Sequence, residues 1–148
     1  MVSFSVGMTF IFGGISVGLY SNKTVWFFGI IGALIDLGEE IAADAMDMRG
    51  DTVIDSNSLA IKYGKQAALK ISSYIFFSVI LLTVLPFLFH WFPVMYLVPM
   101  LIMDCSIAYS TLRLLKSQRE EGRSYIRLLY LGATLGLLIF LGMRLIGI

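Results

Sequence analysis

Charge is scarce in this sequence. Asp, Glu, Lys and Arg make up 14% of its 148 residues and hydrophobic residues 58%, where a soluble domain carries about 25% charged residues. Too little polar surface remains to cover a water-facing fold. Cys105 is the only cysteine, which excludes a disulfide scaffold. Charge of one sign is missing too: eleven basic and ten acidic residues leave a net +1, which argues against a nucleic-acid partner. With a mean hydropathy of +0.86, the chain reads as an all-α integral membrane protein of a single domain.

What is present divides into apolar runs. Residues 2–20, 71–89 and 128–143 contain no charge, and 91–112 contain only Asp104. Each approaches the roughly 20 residues that a helix needs to cross about 30 Å of hydrocarbon. A shorter run, 25–35, continues without a breaker into an acidic stretch. The pattern predicts five transmembrane helices, at about 2–20, 24–48, 68–89, 92–114 and 126–147. Gly14-x-x-x-Gly18 and Gly132-x-x-x-Gly136 are spacings that let helices approach closely. Residues 113–127 read as a solvated loop, Cys105 as a small buried hydrophobe and His90 as an interfacial residue.

Basic residues set the expected orientation. Arg49, Lys62, Lys65, Lys70, Arg113, Lys116, Arg119, Arg123 and Arg127 fall on one side, with only Lys23 and Arg144 on the other. The positive-inside rule then puts the N-terminus and the loops at 49–70 and 113–127 in the cytoplasm of a multi-pass cell-membrane protein. Tyr20, Trp26, His90 and Trp91 fall at the opposite interface, where an aromatic belt belongs.

The informative segment is the acidic one. Asp36, Glu40, Asp44, Asp47 and Asp51 are spaced 4, 4, 3 and 4 residues apart, which puts all five within about 80° of arc on one helical face. A carboxylate at mid-membrane costs roughly 2.5–3.5 kcal/mol, so such a face must line a protein or water-filled cavity. Like charges one turn apart repel, and something cationic has to neutralise them. Basic side chains could do so, and so could a divalent ion. Oxygen ligands without His or Cys suit Mg²⁺, which takes one or two carboxylates and completes its shell with water and phosphate oxygens. The plain alternative is an acidic, solvated helix end. Asp104, alone in its span, is either a functional acid or a hydrogen-bond partner of a neighbouring helix.

The stretch Glu40-Ile41-x-x-Asp44-x-x-Asp47-x-x-Gly50-Asp51, followed by Ser58-Leu59-Ala60-Ile61-x-Tyr63-Gly64, resembles the second aspartate-rich motif of the UbiA-type intramembrane prenyltransferases. Thr9-Phe10-Ile11-Phe12-Gly13-Gly14 in the first run is similar to the archaeal branch that includes the digeranylgeranylglyceryl phosphate synthases. Members have nine helices and two aspartate motifs, and the five runs here match the last five. The first motif needs Asn before Asp; neither Asn22 nor Asn57 precedes one. Glu39, Asp55 and Asn57 depart from the residues usual at their positions.

The resemblance implies Mg²⁺-dependent transfer of a prenyl group from an isoprenoid diphosphate to a lipid or aromatic acceptor, such as geranylgeranylglyceryl phosphate in ether-lipid biosynthesis. It makes Asp47 and Asp51 metal ligands with Asp44 beside them, and Glu40 their support. Lys62 and Lys65 are secondary candidates for the diphosphate oxygens. It also implies a truncated or split half, inactive alone, whose partners are the bilayer, the two substrates and a polypeptide carrying the first motif. Two other readings compete: a non-catalytic membrane partner or remnant keeping the half fold, and an ion-coupled carrier, which would show repeated broken helices.

Overall fold

The computed structural model describes residues 2–51, 58–117 and 119–147, with side chains described except at 48–51 and 119–120. Every regular element among them is helical: α1 (Val2–Ser16), α2 (Lys23–Asp51), the short α3 (Leu59–Tyr63), α4 (Lys65–Leu88), a 3₁₀ turn (Val94–Tyr96), α5 (Leu97–Leu114) and α6 (Arg119–Ile146). Three helices are long and apolar enough to cross a membrane: Lys65–Leu88, Val94–Leu114 and Glu121–Ile146. α1 is apolar but has 15 residues. α2 has 29 residues, half of them on the acidic stretch.

The ends of these helices have local causes. Ser58 caps α3 by accepting a hydrogen bond from the Ile61 amide (3.4 Å), and Gly64, with φ +87°, separates α3 from α4. At the far end of α4 the Trp91 amide reaches back to the Pro86 carbonyl (2.7 Å), while His90 adopts a left-handed φ of 55°. This is how a helix stops when its next residue takes the left-handed conformation. α1 stops at Ser16 rather than near 20 because Gly18, at φ +78°, turns the chain there. Gly18 therefore ends a helix and does not seal one against another, contrary to expectation.

The second glycine pair behaves as its spacing predicts. A Cβ at Gly136 would lie 2.8 Å from the Pro99 carbonyl oxygen, and one at Gly132 would collide with Ser106. α5 and α6 thus meet almost backbone to backbone, and the Ser106 hydroxyl donates to the Leu128 carbonyl across the seam (3.1 Å).

Residues 119–127 are a correction to the sequence reading. They form the first turns of α6 rather than a loop. Gly122, Ile126, Leu129 and Ala133 are buried, and their spacing draws an apolar stripe through a polar stretch. Cys105 is exposed rather than buried.

α2 is the central helix. It packs against α1, α3, α4 and α6, while α1 packs chiefly against α2 alone. The core has two parts along it. Around its first half sits an aromatic cluster in which Phe140 lies 4.6 Å from Tyr96, 4.7 Å from Phe28 and 5.1 Å from Phe92 between ring centres. Around its second half the buried residues are smaller: Ala42, Ala45, Ala60 and Ala68 with Ile41, Met46, Leu69, Leu114 and Ile126. At the first end Lys23 lies over the Trp91 ring (5.2 Å) and the Trp26 indole donates to the Tyr20 carbonyl (2.8 Å).

Candidate functional site

The acidic residues lie along α2, which meets α1 at Glu40 and α6 at Asp47. Asp36 and Glu39 line a cavity of about 290 Å³ whose other walls are mostly apolar: Val6 and Phe10 from α1, Phe28, Ile31 and Ile35 from α2, Met103 from α5 and Leu137 from α6, with Tyr130 and Thr134 also from α6. Asp36 Oδ2 is buried there without a hydrogen-bond partner. One turn on, the Ser3 hydroxyl donates to Glu40 Oε2 (3.0 Å) and ties α1 to the acidic face. Asp44 is half-buried on the same face. Asp47, another turn along α2, forms an ion pair with Arg123 of α6. Both members are part-exposed, Arg123 by 56% and Asp47 by 36%, and pairs of this kind contribute about 0–1 kcal/mol.

The single helical face expected for these acids is therefore present from Asp36 to Asp47. Asp51 ends α2, and its side chain lies outside the described residues, as do Asp55 and Asn57. Of the two lysines, Lys65 donates to the Ser117 carbonyl (3.3 Å) at the turn before α6, and Lys62 extends over the Tyr63 ring (5.4 Å). Neither is brought onto Asp47 by a described contact. Asp104 sits apart between α4 and α5, with Thr83 Oγ1 2.8 Å from its Oδ2; that hydroxyl is also 2.6 Å from the Ile80 carbonyl. This polar clasp between neighbouring helices holds Oδ2, while Oδ1 is buried without a hydrogen-bond partner.

Two residues of the site escaped sequence reasoning, Arg123 and Ser3. Arg123 was hidden by the assignment of 113–127 to a loop. The signal that could have found it was the stripe of Gly122, Ile126 and Leu129, which puts Arg123 on the flank of a helix.

Among the described residues no three His, Cys, Asp or Glu side chains converge on a point that could hold a metal ion. A protein-only metal cage is thus not built from them. Hard oxygen donors one turn apart and part-exposed, as Asp44 and Asp47 are, fit an ion such as Mg²⁺ that draws most of its ligands from water and phosphate.

Comparison with known proteins agrees with the resemblance seen in the sequence. No family model matches the chain. The chain belongs to the UbiA-type intramembrane prenyltransferases, and it aligns with the C-terminal half of its larger relatives. In particular, it is 33% identical over 141 residues to the digeranylgeranylglyceryl phosphate synthase of Methanopyrus kandleri, covering 95% of this chain and 51% of that one. To the Archaeoglobus fulgidus enzyme of the same name it is 29% identical over 144 residues, covering 94% and 49%. A solved structure from work on digeranylgeranylglyceryl phosphate synthase in membranes superposes with a TM-score of 0.72 at 30% identity, covering 78% of this chain and 42% of that one. The chain spans about half the length of the curated relatives it matches.

Proposed function

We propose that residues 1–148 form the half of a UbiA-type prenyltransferase that takes the diphosphate end of an isoprenoid donor, for transfer to a lipid acceptor such as geranylgeranylglyceryl phosphate. One observation carries this reading: the face of α2 that bears Asp44 and Asp47, the proposed mouth of the site, continues to Asp36, which lines an apolar chamber with Phe10, Phe28 and Leu137. A prenyl diphosphate has the same polarity, with a charged head and a hydrocarbon tail. Asp47 and Asp51, with Asp44 beside them, are the residues to hold Mg²⁺, and Glu40 fixes the register of α1 against them. Lys62 and Lys65 stand near enough in sequence to serve the diphosphate once it is bound. When bound, Mg²⁺ neutralises the charge that builds on the departing diphosphate.

The chain's own residues have separate tasks. Carboxylates at the mouth select the ion, the apolar walls hold the tail, and the small buried residues beside Asp44 and Asp47 keep α2 straight and close to its neighbours. Five crossings, with α1 and α2 joining the three apolar helices, keep the acidic mouth on the basic side of the membrane, which the positive-inside rule makes cytoplasmic. One acidic cluster grips the ions from one side only. Removing a single positioned electrostatic group costs about 10²–10³ in rate, so residues 1–148 need a polypeptide carrying a second aspartate motif for turnover.

Calorimetry on the purified chain tests the reading, with Mg²⁺ and a non-hydrolysable geranylgeranyl diphosphate analogue. Binding is expected only with both present, and weaker by about tenfold or more in Asp47→Asn, as loss of one of two carboxylate ligands predicts. Equal binding by the variant would remove Asp47 from the site. Product formed by the isolated chain would refute the need for a second motif.

A further inference from the structure

We infer that Arg123 is a positioning residue for the diphosphate: it neutralises Asp47 while the site is empty and turns to the diphosphate oxygens when a metal ion takes its place. This rests on the proposed function, and it concerns a residue of α6 that the acidic motif itself does not contain. The observation behind it is a fixed root with a loose head. The root is held because Gly122 is buried against the side-chain tip of Met46, the neighbour of Asp47. Ile126, one turn further along, is buried in the same core. Lys65 fastens the turn that precedes α6 by its bond to the Ser117 carbonyl. The head is loose because the Arg123 side chain is more than half exposed where it meets Asp47.

A part-exposed pair is weak enough to be exchanged. A metal ion arriving at Asp47 competes for the oxygen that Arg123 contacts, Oδ1, and repels the guanidinium. The displaced group cannot travel far, since Gly122 and Ile126 keep its backbone beside the core that contains Met46. It stays within a side chain's length of the ligand that came with the metal. A planar guanidinium offers paired N–H donors that match phosphate oxygens, so the cation that guarded the empty site becomes a donor to the occupied one. The exchange needs no movement of a helix. It also keeps Asp47 from standing unneutralised beside the other carboxylates of the face.

Opposite signs are what distinguish this role from a structural one. The test uses the full chain in detergent micelles, with Mn²⁺ as the metal probe and inorganic pyrophosphate as the diphosphate probe, titrated separately and together. Arg123→Gln should bind Mn²⁺ alone about five- to tenfold tighter, because its competitor is gone, and Mn²⁺–pyrophosphate about tenfold weaker. Arg123→Lys keeps the charge but loses the fork, so Mn²⁺ alone should bind as in the wild type while pyrophosphate binding still falls. That variant also carries the test should Arg123→Gln fail to fold. Arg127→Gln, one turn along on an exposed position, should match the wild type in both titrations. If both affinities are unchanged in the Arg123 variants while Asp47→Asn loses pyrophosphate, the inference falls and the metal–diphosphate reading stands. If the wild type binds no Mn²⁺–pyrophosphate, both fall.

Discussion

The two halves of α2 are held in place by different means. From Trp26 to Ile35 the helix sits in rings: Phe27 and Phe28 touch Phe92, and Phe28 touches Phe140. From Glu40 to Asp47 it is held by small side chains at close range, with Ala42 and Ala45 almost fully buried, and by polar ties to Ser3 and Arg123. Large rings fix a position through buried area, even beside the chamber that Phe28 and Ile31 wall. Small residues fix it through backbone proximity, and the polar ties above them can be traded for a ligand. One helix thus carries an anchor and a site, and the boundary falls near Asp36.

The strongest challenge to this division is Phe140→Ala. It removes the ring at the centre of the aromatic half and should lower stability by about 3–5 kcal/mol, read as the shift in reversible unfolding in mixed micelles, with pyrophosphate binding unaltered once the protein is folded. A smaller effect is expected from Ser3→Ala, which cuts the bond to Glu40. A part-buried hydrogen bond of this kind contributes about 1 kcal/mol, and the measurable sign would be faster proteolysis or exchange of α1, since α1 has little else than α2 to hold it. Smallest of all is the stability effect of Asp47→Asn, within about 1 kcal/mol for a part-exposed pair, although it should weaken ligand binding most. An Asp47→Asn protein destabilised as much as Phe140→Ala would show that the acidic half is structural, and the comparison would collapse.

How far the sequence reveals this depends on the distance over which each feature is set. α4 and α5 are legible because an apolar run of that length, charge-free at 71–89 and carrying only Asp104 at 91–112, has one stable form in lipid, and the acidic face is legible because 3.6 residues per turn puts Asp36, Glu40, Asp44 and Asp47 together without help. The contacts that complete the site join residues far apart in the chain: Ser3 and Glu40 are 37 positions apart, Asp47 and Arg123 are 76. No local pattern encodes those pairings. The start of α6 lay between the two cases, since its apolar stripe was present but masked by five charged residues among the first nine, from Arg119 to Arg127. Asp104 shows the reverse: its rarity in an apolar span drew attention, and its partner Thr83 turned out to be a structural neighbour.

The glycine seam between α5 and α6 bears on how the protein is made. Two helices joined by the short segment 115–118 and sealed through Gly132 and Gly136 need nothing from α1 to α4 in order to pair. Such a hairpin can leave the translocon as one unit, with the Ser106 hydroxyl already satisfied by the Leu128 carbonyl and so not presented to lipid. In the folded chain this hairpin lies against α2 and brings Arg123 to Asp47. A bulky residue at Gly132 would therefore act during biogenesis, delaying the joining of two helices and leaving the acidic face of α2 without its arginine while the chain is still being assembled.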